Sequence, residues 1–237
     1  MPAVACGSEP TSTGEGRIED STSSSELVEI EFEIYKDALK TGEPSLKRDL
    51  FLHVYNNRPH LDDELGFAVG LLEESAVEGY APSQSTLGEL LINGDIISQD
   101  VDRGRAWLAQ AAEGGYDKAI FLIGRSYASE YYTTPKHRTK DRKSAFENAE
   151  SWLAQADTIR TREPEVAIAA DVVLGRLYMS RSVNDENAWL LLERALTAGS
   201  LEAMQTLQAL EDALQTAVDE GYHSASKPLS RVQSLLK

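Results

Sequence analysis

A motif that returns after 36 residues constrains this chain more than any other feature. Leu87-Gly88 returns as Ile123-Gly124, and Gly79 returns as Gly115, both at that spacing. A fixed period between about 20 and 50 residues marks a stacked repeat architecture. Leu174-Gly175 opens a third copy. Gly199 and Leu207 open a fourth, spaced like Gly79/Leu87 and Gly115/Ile123. The second half of the unit repeats as well. GRAWLAQA at 104–111 matches AESWLAQA at 149–156, and Ala188 and Leu191 stand at the places of Gly104 and Trp107. LLEESAVEG at 71–79 matches WLAQAAEGG at 107–115, so a leading copy precedes Gly79.

Each unit reads as two helical patterns closed by glycine. Gly88, Gly124 and Gly175 are small enough to let two helix axes approach closely. Trp107, Trp152 and Leu191 are the expected large residues of that seam. Gly79, Gly115 and Gly199 follow helical runs and are expected to close them at positive φ. One helix pair cannot bury its apolar face alone, so copies must stack. The predicted fold class is all-α, an antiparallel helix-pair solenoid.

Leu174-Gly175-Arg176-Leu177-Tyr178, with Ile123-Gly124 and Tyr127 as a near copy, resembles the L-G-x-x-Y pattern of the tetratricopeptide superfamily. The whole unit resembles the Sel-one-like repeat. Leu87-Gly88, Gly94, Ile97, Asp100, Arg103, Trp107, Ala111, Ala112 and Gly115 stand at that family's matching places. Ile96, Gly104, Ser83 and Val166 depart from it. The resemblance implies a non-catalytic scaffold or adaptor for protein–protein interactions, in bacteria often in the envelope.

Four segments are expected. Residues 1–25 read as a disordered acidic tether rich in Ser and Thr. Residues 26–78 hold N-terminal helices and a capping repeat, 79–210 the repeats proper, and 211–237 a C-terminal helical cap. In the last copy Gln208 replaces the small contact residue, which suits a repeat with no close neighbour there. Ala3-Val4-Ala5-Cys6-Gly7-Ser8 resembles the end of a bacterial lipoprotein signal with Cys6 as the lipidated residue. Lipidation would tether the array to a membrane and place it in the periplasm; without it the chain is a cytoplasmic adaptor. A lipidated Cys before such repeats also resembles the alginate-export scaffold lipoproteins of Gram-negative bacteria, and through them an exopolysaccharide-export assembly.

Between Tyr127 and Phe146 the second copy carries nine additional residues. They include Tyr131, Tyr132, Lys136, Arg138 and Lys140, which with Arg142 and Lys143 form the most basic stretch of a chain whose net charge is −16. Insertions in repeat arrays fall on loops, often on the binding face. Two readings stay open: a solvated loop offsetting acidic neighbours, or a contact surface for an anionic partner such as an acidic protein or polysaccharide. For Trp189, two residues before Leu191, two readings stay open: a packing residue, or a half-exposed aromatic of a contact surface. The overall acidity argues against a nucleic-acid backbone as partner.

Nothing in the sequence converges on catalysis. His53, His60, His137 and His223 are dispersed, and no H-E-x-x-H, G-x-S-x-G, phosphate-loop or G-x-G-x-x-G motif is present. The single cysteine cannot form an internal disulfide or a thiolate zinc site. No enzyme activity, metal or cofactor is expected, and the partners are other proteins.

Overall fold

The computed structural model describes residues 42–57 and 62–237. The segment 1–25, Cys6 and the helical pattern at 26–40 lie outside the described residues. Ten α-helices stand among them: α1 (Pro44–Asn57), α2 (Asp62–Val77), α3 (Ala81–Asn93), α4 (Val101–Glu113), α5 (Lys118–Thr133), α6 (Thr139–Gln155), α7 (Pro164–Met179), α8 (Glu186–Thr197), α9 (Leu201–Asp219) and α10 (Ser226–Leu235). They pack as five consecutive pairs, α1 with α2 through α9 with α10. The second helix of each of the first four pairs also packs on the first helix of the next. Successive first helices touch as well, α1 to α3, α3 to α5, α5 to α7 and α7 to α9. The first helices therefore form the inner layer of the solenoid and the second helices its outer layer.

Side chains and glycines set the helix ends. Asp100 accepts from the Arg103 N–H at 3.1 Å, Asp185 from the Asn187 N–H at 2.9 Å, and Ser200 from the Ala203 N–H at 3.2 Å. Each satisfies a donor that the first turn leaves unpaired. At the turn from one pair to the next, Gly79, Gly115 and Gly199 take φ of 91°, 85° and 83°. Around each, two backbone bonds close the helix. The Gly115 N–H reaches Ala112 O at 3.0 Å and the Tyr116 N–H reaches Ala111 O at 2.9 Å, and Gly79 and Gly199 show the same pair. This is the Schellman arrangement.

Within a pair, glycine meets leucine. A Cβ on Gly88 would sit 2.8 Å from Leu108 Cγ; one on Gly124, 2.6 Å from Leu153 Cγ; one on Gly175, 2.9 Å from Leu192 Cγ. Leu108, Leu153 and Leu192 are completely buried. The sequence places Trp107, Trp152 and Leu191 in this seam, and the structure moves it one residue on. Those three are half-buried, and Trp152 and Leu191 lie against the cores of the preceding pairs. A residue turns about 100° around a helix axis, so positions i and i+1 cannot both face the same groove. The α3–α4 crossing is especially tight. A Cβ on Gly104 would meet Gly88 O at 2.8 Å, just as one on Gly88 would meet Gly104 O. Ala149 and Ala188 occupy that place in the next two pairs, both fully buried.

The nine additional residues of the second copy are mostly helix rather than loop. α5 has 16 residues and α6 has 17, against 13 in each of α3 and α4. At the C-terminal end Gln208 is exposed, and Leu229 and Val232 of α10 close the core under Leu207 and Leu214 of α9.

The joint between α6 and α7 is held by charge. A short 3-10 turn (Ala156–Ile159) follows α6. Asp171 of α7, with its side chain 5% exposed, accepts from Arg160 Nη2 at 2.9 Å and from Arg194 Nε of α8 at 2.8 Å. Arg194 also reaches Asp157 at 3.3 Å. A buried carboxylate needs such partners, because desolvation without them is costly.

Candidate interaction surface

The inner layer carries a ladder of polar contacts between successive first helices. Arg48 Nε of α1 donates to Thr86 Oγ1 of α3 at 3.2 Å. Glu89 of α3 takes Arg125 of α5 at 3.0 Å and Lys118 at 3.9 Å. Arg176 of α7 reaches Glu202 of α9 at 3.4 Å. Two cavities open beside this ladder. One, of about 290 Å³, lies between α1 and α3 and is lined by Arg48, Tyr55, Thr86, Glu89, Tyr116 and Lys118 among others. The other, of about 450 Å³, lies between α5 and α7 and is lined by Tyr116, Lys118, Phe121, Glu163, Glu165 and Val166 among others. Tyr116 and Lys118 belong to both, so the two cavities adjoin along the inner layer and together make a grooved surface. Aromatic rings and charges, some paired and some not, line it, a chemistry that suits extended contact with another protein.

The residues expected to form a basic contact loop do not act together. Tyr131 and Tyr132 lie in the last turns of α5, not in a loop. Tyr131 is 7% exposed. Phe146 meets its ring edge-on at 5.7 Å, the Arg142 guanidinium lies 4.1 Å over it, and Ser180 Oγ donates to its hydroxyl at 3.1 Å. Its ring packs into the core between α6 and α7, and what it leaves open lines a cavity of about 300 Å³ with Lys143, Phe146, Glu147, Glu150 and Arg181. Arg142 is spent on the backbone, donating to Tyr131 O at 2.8 Å and Thr134 O at 2.9 Å. Arg138 pairs with Asp141 at 2.7 Å and Lys143 with Glu147 at 3.5 Å. Lys136 and Lys140 are exposed. Tyr132 is half-exposed, and burial pushes its phenol up against the opposing pull of Arg176.

Trp189 is 1% exposed rather than half-exposed. Its Nε1–H donates to Val183 O at 2.8 Å, and Arg231 of α10 lies 4.9 Å over its ring while pairing with Glu186 at 2.7 Å. Its place explains the burial. Trp189 stands three residues before Leu192, as Arg105 stands before Leu108 and Glu150 before Leu153. That position faces the next pair. Arg105 lies 3.7 Å over the Tyr127 ring and pairs with Glu130 at 2.8 Å. Glu150 accepts from the Tyr178 hydroxyl at 2.6 Å. Burial and the Glu150 carboxylate together push the Tyr178 phenol well above its ordinary range.

Among the described residues no group of three or more His, Cys, Asp or Glu side chains is placed to hold a metal ion, and no helix is long and apolar enough to cross a membrane.

No family model matches the chain, and no curated protein is detectably similar to it. Solved structures are. A Sel1 repeat protein from Oxalobacter formigenes aligns with a TM-score of 0.54 at 19% identity, covering 86% of this chain and 77% of its own. A protective antigen present in uropathogenic Escherichia coli strains, displaying an SLR fold, aligns with a TM-score of 0.41 at 17% identity; the chain spans 53% of that antigen. Neither likeness supports the resemblance to alginate-export lipoproteins. The five stacked pairs, the recurrent glycine–leucine seam and the likeness to the Oxalobacter formigenes protein together give this chain the fold of a Sel1-like repeat solenoid.

Proposed function

We propose that the protein is a non-catalytic scaffold that holds another protein along its inner layer. The observation that carries this reading is the grooved surface made by the adjoining α1–α3 and α5–α7 cavities, with Tyr116 and Lys118 common to both. Rigid helix pairs present such a surface at little ordering cost, which favours association. The test places a photo-reactive benzoylphenylalanine at Lys118 or, as a comparison, at exposed Ser151 of the outer helix α6. Cells of the source organism are irradiated with each variant. A discrete adduct from Lys118 and none from Ser151 supports the reading. Equal labelling at both, or none at either, overturns it.

A finer reading puts the scaffold in a bacterial envelope, in an assembly such as exopolysaccharide export, tethered by a lipid on Cys6. What supports it is the run Ala3-Val4-Ala5-Cys6-Gly7-Ser8. A diacylglyceryl mass on Cys6 with the protein in the membrane fraction is the expected result; an unmodified N-terminus in the soluble fraction assigns the scaffold to the cytoplasm. An anionic polysaccharide as an additional partner rests on Lys136, Arg138 and Lys140, all exposed. Reversing those three charges then abolishes retention on an acidic-glycan column, and unchanged retention removes that partner.

A further inference from the structure

We infer that the cavity between α5 and α7 receives an arginine side chain from a basic segment of the partner; the inference rests on the scaffold reading and specifies what enters its groove. Every charge at this cavity except two is already matched. Asp117 pairs with Arg162 at 3.1 Å, and Lys118 is turned toward Glu89 at 3.9 Å. Glu163 and Glu165, exposed at the start of α7, enter no ion pair among the described residues. They stand at the mouth of a cavity of about 450 Å³ whose wall is Tyr116, Phe121, Val166 and Ala169. The cavity thus combines an apolar, aromatic wall with two carboxylates that have no ion-pair partner among the described residues. A guanidinium on a three-carbon stem matches both parts. The stem and the planar face lie against rings, and the fork of N–H donors suits carboxylates. Lysine supplies the charge but neither the plane nor the fork. An acidic segment would meet like charge here.

The full chain is titrated against a fluorescein-labelled peptide of four Arg-Leu repeats, its Lys-Leu and Glu-Leu counterparts, all at physiological ionic strength. The Arg-Leu peptide binds best and the Glu-Leu peptide not at all. The E163Q/E165Q double variant and, separately, Phe121→Ala each weaken Arg-Leu binding about tenfold or more. Glu147→Gln and Glu211→Gln, outside this cavity, leave it within about twofold. Equal weakening by all four carboxylate changes means general attraction to an acidic chain and overturns the inference. So does an absence of Arg-Leu binding, or equal affinity for the Lys-Leu peptide. Self-association of the chain that Arg138→Glu abolishes makes a second copy the occupant and overturns it too. The contrast between Lys118 and Ser151 in photo-crosslinking does not depend on peptide charge. A failed peptide with that contrast intact removes only the arginine assignment.

Discussion

Alanine at Gly124 and alanine at Gly70 are the same chemical change on two helices, and they should shift stability in opposite directions. Replacing glycine by alanine within a helix gains about 1 kcal/mol from backbone entropy alone. At Gly70 of α2, among the described residues, nothing stands within 4 Å of the added methyl. At Gly124 the methyl would sit 2.6 Å from Leu153 Cγ, 2.8 Å from Cδ2 and 3.2 Å from the Leu153 backbone N. Leu153 is 2% exposed and has no open side to retreat to, and its backbone belongs to α6. Overpacking costs about 1–3 kcal/mol, and an approach of 2.6 Å to a buried side chain belongs in the upper part of that range, about 2–3 kcal/mol. The net expectation is a gain of about 0.5–1 kcal/mol for Gly70→Ala and a loss of about 1–2 kcal/mol for Gly124→Ala.

Urea unfolding followed by far-ultraviolet circular dichroism measures both, since the signal is dominated by helix. Thermal melts should move by about 2–4 °C per kcal/mol for a domain of this size. A double-mutant cycle identifies the cause. Leu153→Ala alone should cost about 2–5 kcal/mol from the cavity it leaves. In the Gly124→Ala background it should cost at least about 1 kcal/mol less, because the methyl then occupies part of that space. A Gly124→Ala protein as stable as its parent, or strict additivity in the cycle, would refute the glycine–leucine seam as the contact that sets helix spacing.

Three further expectations follow from the charged joints. Asp171→Asn should cost about 3 kcal/mol, because Arg160 and Arg194 lose their shared buried carboxylate; a change below 1 kcal/mol in urea unfolding would place the joint's stability elsewhere. Hydrogen bonding from Arg160 holds the Asp157 carboxyl below the usual carboxylate range. Its contribution is therefore complete above the ordinary aspartate pKa and is lost as pH falls through the lowered value. Melting temperature followed down through pH 4 should fall less steeply in Asp157→Asn than in the parent, and parallel curves would contradict this. Lys47 behaves in the opposite sense: its partner Glu78 raises its pKa, so that contribution is present below the ordinary lysine value and lost as pH rises through the raised one. Lys47→Met should accordingly flatten the alkaline limb of the stability curve, with an unchanged limb as the contrary result.

The period, the helix pairs and the glycine turns were legible in the sequence because each depends on residues a few positions apart. Gly115 lets its own N–H and that of Tyr116 close α4 on carbonyls three and five residues before them, respectively, so its role is local. The seam was legible only in part. Trp107 and Trp152 draw attention by size, yet leucine occupies the following position in every copy, at 72, 108, 153 and 192, while the Trp position becomes Leu71 and Leu191. The constant residue, not the large one, marks the glycine contact. Tyr131 was misplaced for a different reason. Extra residues in a repeat leave open whether the loop or the helices lengthen, and here burial of Tyr131 against Phe146 and Ser180 of other elements decides for the helix. The arginine grip on Asp171 joins residues 11 and 23 positions apart across three elements, a separation at which no local pattern announces a contact.

The joints between pairs show how the order of the copies is encoded. At the α4–α5 joint a cation sits on the outer helix and an anion on the next inner helix, Arg105 against Glu130, with Tyr127 between. At the α6–α7 joint the corresponding residues are Glu150, Tyr178 and Arg181: the tyrosine stays and the charges exchange places. Arg181 lies 4.7 Å over Phe146 there. At the α8–α9 joint the outer-helix position is Trp189 and the inner-helix position Leu214, both buried in one apolar cluster. Docking α4 on α7 would set Arg105 against Arg181, and docking α6 on α5 would set Glu150 against Glu130. Either would bring like charges together, which disfavours the wrong neighbour. The helices share one backbone plan, so backbone geometry alone cannot distinguish one joint from another. The alternating charges and the final tryptophan do, and they are where this solenoid departs most from a simple repetition of its unit.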